Sequence, residues 1–183
     1  GDGTLDGSLS QLYLETARYW LSRFTWEPDR NQYSSFFVKG PDEYCGAAVN
    51  NTFTNYLARH NVRLALRHAA MDGGERGRLK HFEEHVAGEP LYKSVCFDRM
   101  QRYRALKQAD LVQLMTMFPD DFSDGEKRAV WDRYEPLTVH DSSLSFGIHA
   151  LLAFRLGLEK VGWRYFERSL CFDLSDELGN TGR

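Results

Sequence analysis

Apolar residues between Ser8 and Phe24 recur at Leu9, Leu12, Tyr13, Ala17, Trp20, Leu21 and Phe24. That spacing of three and four predicts a helix with one buried face. Glu15, Arg18, Ser22 and Arg23 fall off the stripe. From Thr25 to Ala48 the helical period is lost. Pro28, Asp29, Asn31 and Gly40-Pro41 mark turns there, and "QYSSFFV" has room for one short strand. Such a long excursion from a helical scaffold is uncommon in compact domains and often functional. The period resumes in "TFTNYLARHNVRLALRHAA", capped by Asn51 or Thr52. Gly73, Gly74 and Gly77 read as a break, and "HFEEHVAGEPLYKSV" as loop-rich. A long helix is expected from about Asp98 to Met117, because Met100, Tyr103, Leu106, Leu111, Leu114-Met115 and Phe118 keep roughly helical spacing. A capped helix follows from Ser123 or Asp124 to Pro136. An apolar helix after "HDSS" ends at Gly157, and "LEKVGWRYFERSLCFDL" is amphipathic. The pattern predicts an all-α chain with little strand. Periodicity leaves bundle, solenoid and toroid open.

Composition narrows the class. The 183 residues suit one domain or a piece of a larger one. Hydrophobic residues at 42% and charged residues at 27% are ordinary globular usage, which excludes disordered and collagenous chains. No run of about 18 apolar residues is present, so no membrane-spanning helix and no membrane partner are expected. The N-terminal "GDGTLDGSLS" has no basic and no apolar region, so a secretory leader is not expected. A net charge of -3 without a basic block argues against nucleic acid as a partner. Cys45, Cys96 and Cys171 match no zinc or redox spacing and read as reduced, mostly buried thiols of a cytoplasmic protein. Aromatic residues reach 14%; a large aromatic core explains most of them, and a sugar cleft would explain a few as stacking faces.

Three segments carry candidate chemistry. Asp42-Glu43 follows Gly40-Pro41, a turn in which proline sets one backbone angle. A solvated acidic turn is the bland reading. A carboxyl desolvated by Phe36, Phe37 and Tyr44 would instead have a raised pKa, as a general acid requires. Arg104, Lys107 and Gln108 would lie on neighbouring turns of one helix, either as a solvated basic face or as a cavity wall. In "YEPLTVHDSSLS", Glu135, Thr138, His140, Asp141, Ser142, Ser143 and Ser145 crowd a helix start. That is either an over-supplied cap centred on Asp141 or an anion site. His81 and His85 are four apart but do not form a metalloprotease motif, so no metal is expected.

The motifs "ETARYWLSRF", "GPDEY" followed by "VNNTFTNYLA", "KQADLVQLM", "FPDDFSD", "YEPLTVHDSSLS" with "GIHALLAFRLG", and "DLSDELGNT" run in this order along nearly the whole chain. In combination they resemble the catalytic domain of glycoside hydrolase family 65, which holds maltose, kojibiose, nigerose and trehalose phosphorylases and acid trehalases. The resemblance implies part of an (α/α)6 toroid of helical hairpins, six to seven helices of about twelve. Residues 1–183 would then be the central to C-terminal portion of an incomplete catalytic domain, with no second domain and little activity alone. It implies a glycosyltransferase-type phosphorylase that cleaves an α-linked glucose disaccharide with inversion, giving β-glucose 1-phosphate and glucose. Glu43 matches the general acid, Lys107, Gln108 and Glu135 the sugar subsite, and Ser142 and Ser143 the phosphate site. Inorganic phosphate is the co-substrate, with no cofactor, and the longer parent is expected to be a homodimer. Phosphate as nucleophile removes the need for the second, water-activating carboxylate of an inverting hydrolase. The alternatives are a hydrolase of the same family and a non-catalytic helical scaffold that retains the motifs. Cys45 stands where the family often carries histidine, and the segment between "ALRHAA" and "KQAD" is shorter than is usual there.

Overall fold

The computed structural model describes residues 7–43, 48–88, 106–140, 142–172 and 174–175. Chain contacts divide it into two compact units. The first comprises Gly1–Val38 with Ala48–Pro90, and the second Lys39–Ala47 with Leu91–Arg183. Among the described residues there are seven α-helices and one two-stranded ribbon. The expected all-α class holds.

In the first unit, α1 (Gly7–Arg23) packs on α2 (Thr52–His68), and α3 (Gly73–His85) packs on both. Their core gathers Leu14, Ala17, Phe24, Ala58, Val62, Ala65, Leu79 and Phe82. Asn51 caps α2 by accepting from the Thr54 N–H at 3.0 Å. The neighbouring Asn50 adopts φ 56°. Its side chain accepts from the Ser35 N–H at 2.9 Å and from Asn55 Nδ2 at 3.3 Å. The paired asparagines therefore fasten the exit of the long excursion onto α2.

Two expectations fail in this unit. The glycines at 73, 74 and 77 do not break the chain but lie within α3. Asp72 caps the helix, and Glu75 in its first turn meets Arg18 of α1 at 2.5 and 2.9 Å. Each glycine costs about 1 kcal/mol relative to alanine. Leu79 and Phe82, both fully buried, return about 1.5–3 kcal/mol each, so packing overrides propensity. The second miss is a strand. "QYSSFFV" contains β2 (Gln32–Ser34), but its partner β1 (Thr25–Glu27) was not expected. They pair antiparallel with Trp26 opposite Tyr33, and the two rings lie 4.9 Å apart. Three-residue strands are too short for alternation to register.

The second unit holds α4 (Asp110–Met117), α5 (Asp124–Tyr134), α6 (Ser143–Arg155) and α7 (Glu159–Cys171). The helix expected from Asp98 begins only at Asp110 within the described residues. Residues 98–105, Arg104 included, lie outside them. Leu106 has helical spacing, yet its backbone is spent elsewhere. Its N–H donates to the Leu137 carbonyl and its carbonyl accepts from the Val139 N–H, both at 2.9 Å. Lys107 and Gln108 therefore stand in a bend and not on a helix face.

Ser123 and Glu126 cap α5 reciprocally. The turn from α6 to α7 is set by Gly157 at φ 70°, with Gly157 N–H donating to Phe154 and Leu158 N–H to Ala153. These are the two bonds of a Schellman ending, and glycine suits its left-handed residue. Leu114, Met115, Phe146, Leu152 and Ala153 are buried at this unit's centre. Cys171 is exposed, unlike the burial expected for the thiols, while Cys45 and Cys96 lie outside the described residues. No helix among the described residues is long and apolar enough to cross a membrane.

Candidate functional site

Two irregular segments of the second unit are bolted together: the turn Pro41–Glu43 and the bend Lys107–Ala109 that leads into α4. Asp42 is only 4% exposed. Its carboxylate accepts from the Lys107 N–H at 3.0 Å, and its own N–H donates to the Asp110 carboxylate. Gln108 Nε2 donates to the Pro41 carbonyl at 2.7 Å. The inner of the two adjacent carboxylates thus anchors the turn, and Glu43 is turned outward. Its side chain is 62% exposed, and its Oε2 accepts from Lys107 Nζ at 2.6 Å.

This geometry reverses one expectation. Glu43 was expected to be desolvated, with a raised pKa. Instead, the hydrogen bond and the charge of Lys107 hold it below the usual carboxylate range. Phe37 is 88% exposed, and Tyr44 lies outside the described residues. In this state Glu43 is an ionised carboxylate.

The pairing of Leu106 with Leu137 and Val139 lays the Lys107 segment beside the connection from α5 to α6. Glu135 opens that connection in a short 3-10 turn, Glu135–Leu137, and accepts a 2.5 Å hydrogen bond from Tyr165 of α7. Burial first, and then Glu135, push the Tyr165 hydroxyl up to about 12. Ser142 is the N-cap of α6, its hydroxyl accepting from the Leu144 N–H at 3.4 Å, and Ser143 is the first helical residue and exposed. Asp141, the other expected cap, lies outside the described residues. The structure thus joins Glu43 to Lys107 directly and ties Gln108 to the same turn through the Pro41 carbonyl. Glu135 and the serine pair stand on the adjoining connection.

Behind these groups lies a buried aromatic and histidine cluster. His140, at φ 56°, stacks on Phe146 with centroids 4.7 Å apart, and its Nδ1 meets the Ser145 hydroxyl at 2.8 Å. Burial, reinforced by His149 and Arg168, pushes His140 down to about 4. His149 is also lowered, chiefly by burial. Both imidazoles are therefore neutral near pH 7.

The family model of the glycosyl hydrolase family 65 central catalytic domain matches residues 5–87 and 74–183. The chain belongs to glycosyl hydrolase family 65. Its relatives include maltose phosphorylase of Bacillus subtilis (strain 168), 29% identical over 206 residues that cover 90% of this chain and 27% of that protein. Kojibiose phosphorylase of Escherichia coli (strain K12) is 32% identical, covering 89% and 26% respectively. The alpha,alpha-trehalose phosphorylase of Thermoanaerobacter brockii is 29% identical, covering 91% and 28%. The chain thus spans about a quarter of the length of these relatives. A solved structure, a putative kojibiose phosphorylase from human microbiome, superposes with a TM-score of 0.77 at 22% identity, covering 94% of this chain and 32% of that one. The fold is thereby the helical toroid class of family 65.

Within this family-65 chain, sequence reasoning gave no role to Tyr165 and His149. Asp110 carried a signal in its place at a helix start, where acidic side chains are favoured. Tyr165 and His149 carried none, because apolar-face spacing makes a buried polar residue look like ordinary core. His81 and His85 stack at 4.3 Å beside Trp26 in the other unit, and no group of three metal-ligating side chains occurs among the described residues.

Proposed function

We propose that this domain serves inverting phosphorolysis of an α-linked glucose disaccharide, with Glu43 as proton donor to the glycosidic oxygen. The observation that carries the reading is the clamped turn. Asp42, Gln108 and Asp110 immobilise the backbone that leads into Glu43, and its carboxylate is presented outward beside the Lys107 ammonium. A positioned carboxyl is what general acid catalysis requires. In the free protein Lys107 keeps Glu43 ionised. The acid form arises when a sugar hydroxyl or phosphate oxygen draws the ammonium away and the approaching sugar desolvates the carboxyl. Gln108 and Glu135 serve the sugar, and the start of α6 at Ser142 and Ser143 serves the phosphate, where helix N–H groups favour an anion. Inverting phosphorolysis breaks the C1–O bond as phosphate oxygen attacks C1. The electron pair leaves on the aglycone oxygen, and the Glu43 proton caps it. The products are β-glucose 1-phosphate and glucose.

The test uses the complete polypeptide encoded by the gene. Kojibiose, maltose, nigerose and trehalose are each incubated with and without phosphate, and glucose 1-phosphate is measured. Phosphate-dependent release from one of them, lost in Glu43→Gln, is expected. Equal cleavage without phosphate would establish a hydrolase instead, and unaltered turnover in Glu43→Gln would remove the acid assignment.

A further inference from the structure

Gln108, Gln113, Leu144, Ser145, Ile148 and His149 line a small cleft of ≈ 10 Å³ between the Lys107 bend and α6. Its most unusual member is His149, 1% exposed on α6. The His149 Nδ1 lies 2.8 Å from the Ser145 backbone carbonyl, which can only accept. Nδ1 therefore carries the ring proton and donates it. Nε2 is left with a bare lone pair, and no group among the described residues partners it. Folded proteins seldom leave a buried polar atom unpaired.

The chemistry of the lining defines what would satisfy it. The ring is neutral, so its lone pair repels an anion. A metal ion would have one imidazole nitrogen and neutral amides, a poor donor set. A hydroxyl fits: it donates its hydrogen to Nε2 and accepts from a glutamine amide N–H, and a water can in addition donate its second hydrogen to the amide carbonyl. Gln108 spends one of its two amide N–H groups on the Pro41 carbonyl and keeps the other, with its amide carbonyl, for such a contact. A space of about 10–15 Å³ admits one oxygen-sized group when polar partners are present.

We infer that His149 Nε2, together with the Gln108 amide, forms a buried acceptor site for one neutral hydroxyl donor, either a single ordered water or one sugar hydroxyl. His149 is then a positioning residue. It acts through Gln108, which holds the turn bearing Glu43. The sugar source rests on the functional reading above, and the water source does not.

The experiment is an imidazole nitrogen NMR spectrum of the labelled chain, with water cross-relaxation measured from the His149 ring hydrogens, before and after glucose is added. The ring protonated at Nδ1, with Nε2 displaced toward the hydrogen-bonded position and a cross-peak to long-lived water, identifies water as the occupant. Loss of that cross-peak with a further Nε2 shift on adding glucose identifies a sugar hydroxyl. A ring protonated at Nε2, or ring hydrogens silent to water and glucose alike, overturns the inference. These readouts do not depend on turnover, so failure of phosphorolysis is distinguishable from failure of the site. His149→Phe removes the acceptor and keeps a ring. With an occupant present, its folded-to-unfolded ratio falls about tenfold. A variant as stable as the parent also overturns the inference.

Discussion

Gly162 sits in α7 where a methyl group has nowhere to go. A Cβ built there lies 2.8 Å from both Cδ1 and Cε1 of Phe154 on α6, and 3.1 Å from its Cγ. Carbon atoms rest at about 3.5–4.0 Å, so the ring must retreat by most of an ångström. Trp163 meets that ring edge-on at 5.4 Å. Two opposed terms decide the sign for Gly162→Ala. Helix propensity favours alanine by about 1 kcal/mol. Overpacking costs about 1–3 kcal/mol. The net expectation is a loss of about 1 kcal/mol. Gly147 on α6 supplies the control, because apart from its own neighbours and helix backbone no described atom lies within 4 Å of its added Cβ. Gly147→Ala should keep the propensity gain of about 1 kcal/mol. Urea unfolding of both variants at equal slope should separate them by roughly 2 kcal/mol in opposite directions. If Gly162→Ala is stabilised as much as Gly147→Ala, the close approach of α6 and α7 does not require glycine and the reasoning fails.

Asp42→Ala removes the carboxylate that accepts from the Lys107 N–H and loosens the turn. A loss of about 1–3 kcal/mol in urea unfolding is expected, with phosphorolysis falling in parallel; a wild-type midpoint would show that the clamp does not hold. Lys107→Met removes the main cause of the lowered Glu43 pKa, so its carboxyl NMR titration should move up toward the ordinary glutamate value of about 4.3; no movement would place the cause elsewhere. His140 is depressed in the folded state, so the unfolded chain takes up its proton first as pH falls. Stability is full above about 6.5 and drains away between there and about 4. The shift caps His140's share at about 3 kcal/mol, and partial solvent contact lowers it. Melting temperature against pH should steepen in that window and flatten in His140→Asn, which also tolerates the left-handed backbone; an unchanged profile would clear His140 of the effect.

The sequence reached furthest where local rules act alone. The three-and-four spacing located α1, α2, α6 and α7. Short-range side-chain chemistry located the caps at Asn51 and Ser123 and the glycine ending at 157. The ordered motifs carried the family. These features depend on a few neighbouring residues, which a one-dimensional pattern preserves. The helix through Gly73 was illegible because its stability comes from Leu79 and Phe82 in a shared core and from Glu75 meeting Arg18, partners far apart in the chain. Leu106 was misread for the same reason, its backbone bonds going to Leu137 and Val139. The site divides along this line. That Glu43 belongs to a loop preceding, along the chain, an asparagine-capped helix was readable from "GPDEY" and "NN". Tertiary structure decided which of two adjacent carboxylates is buried, and that Lys107 reaches across to ionise the other. A pKa depends on burial and on charges brought close by folding, and neither quantity exists along an unfolded chain.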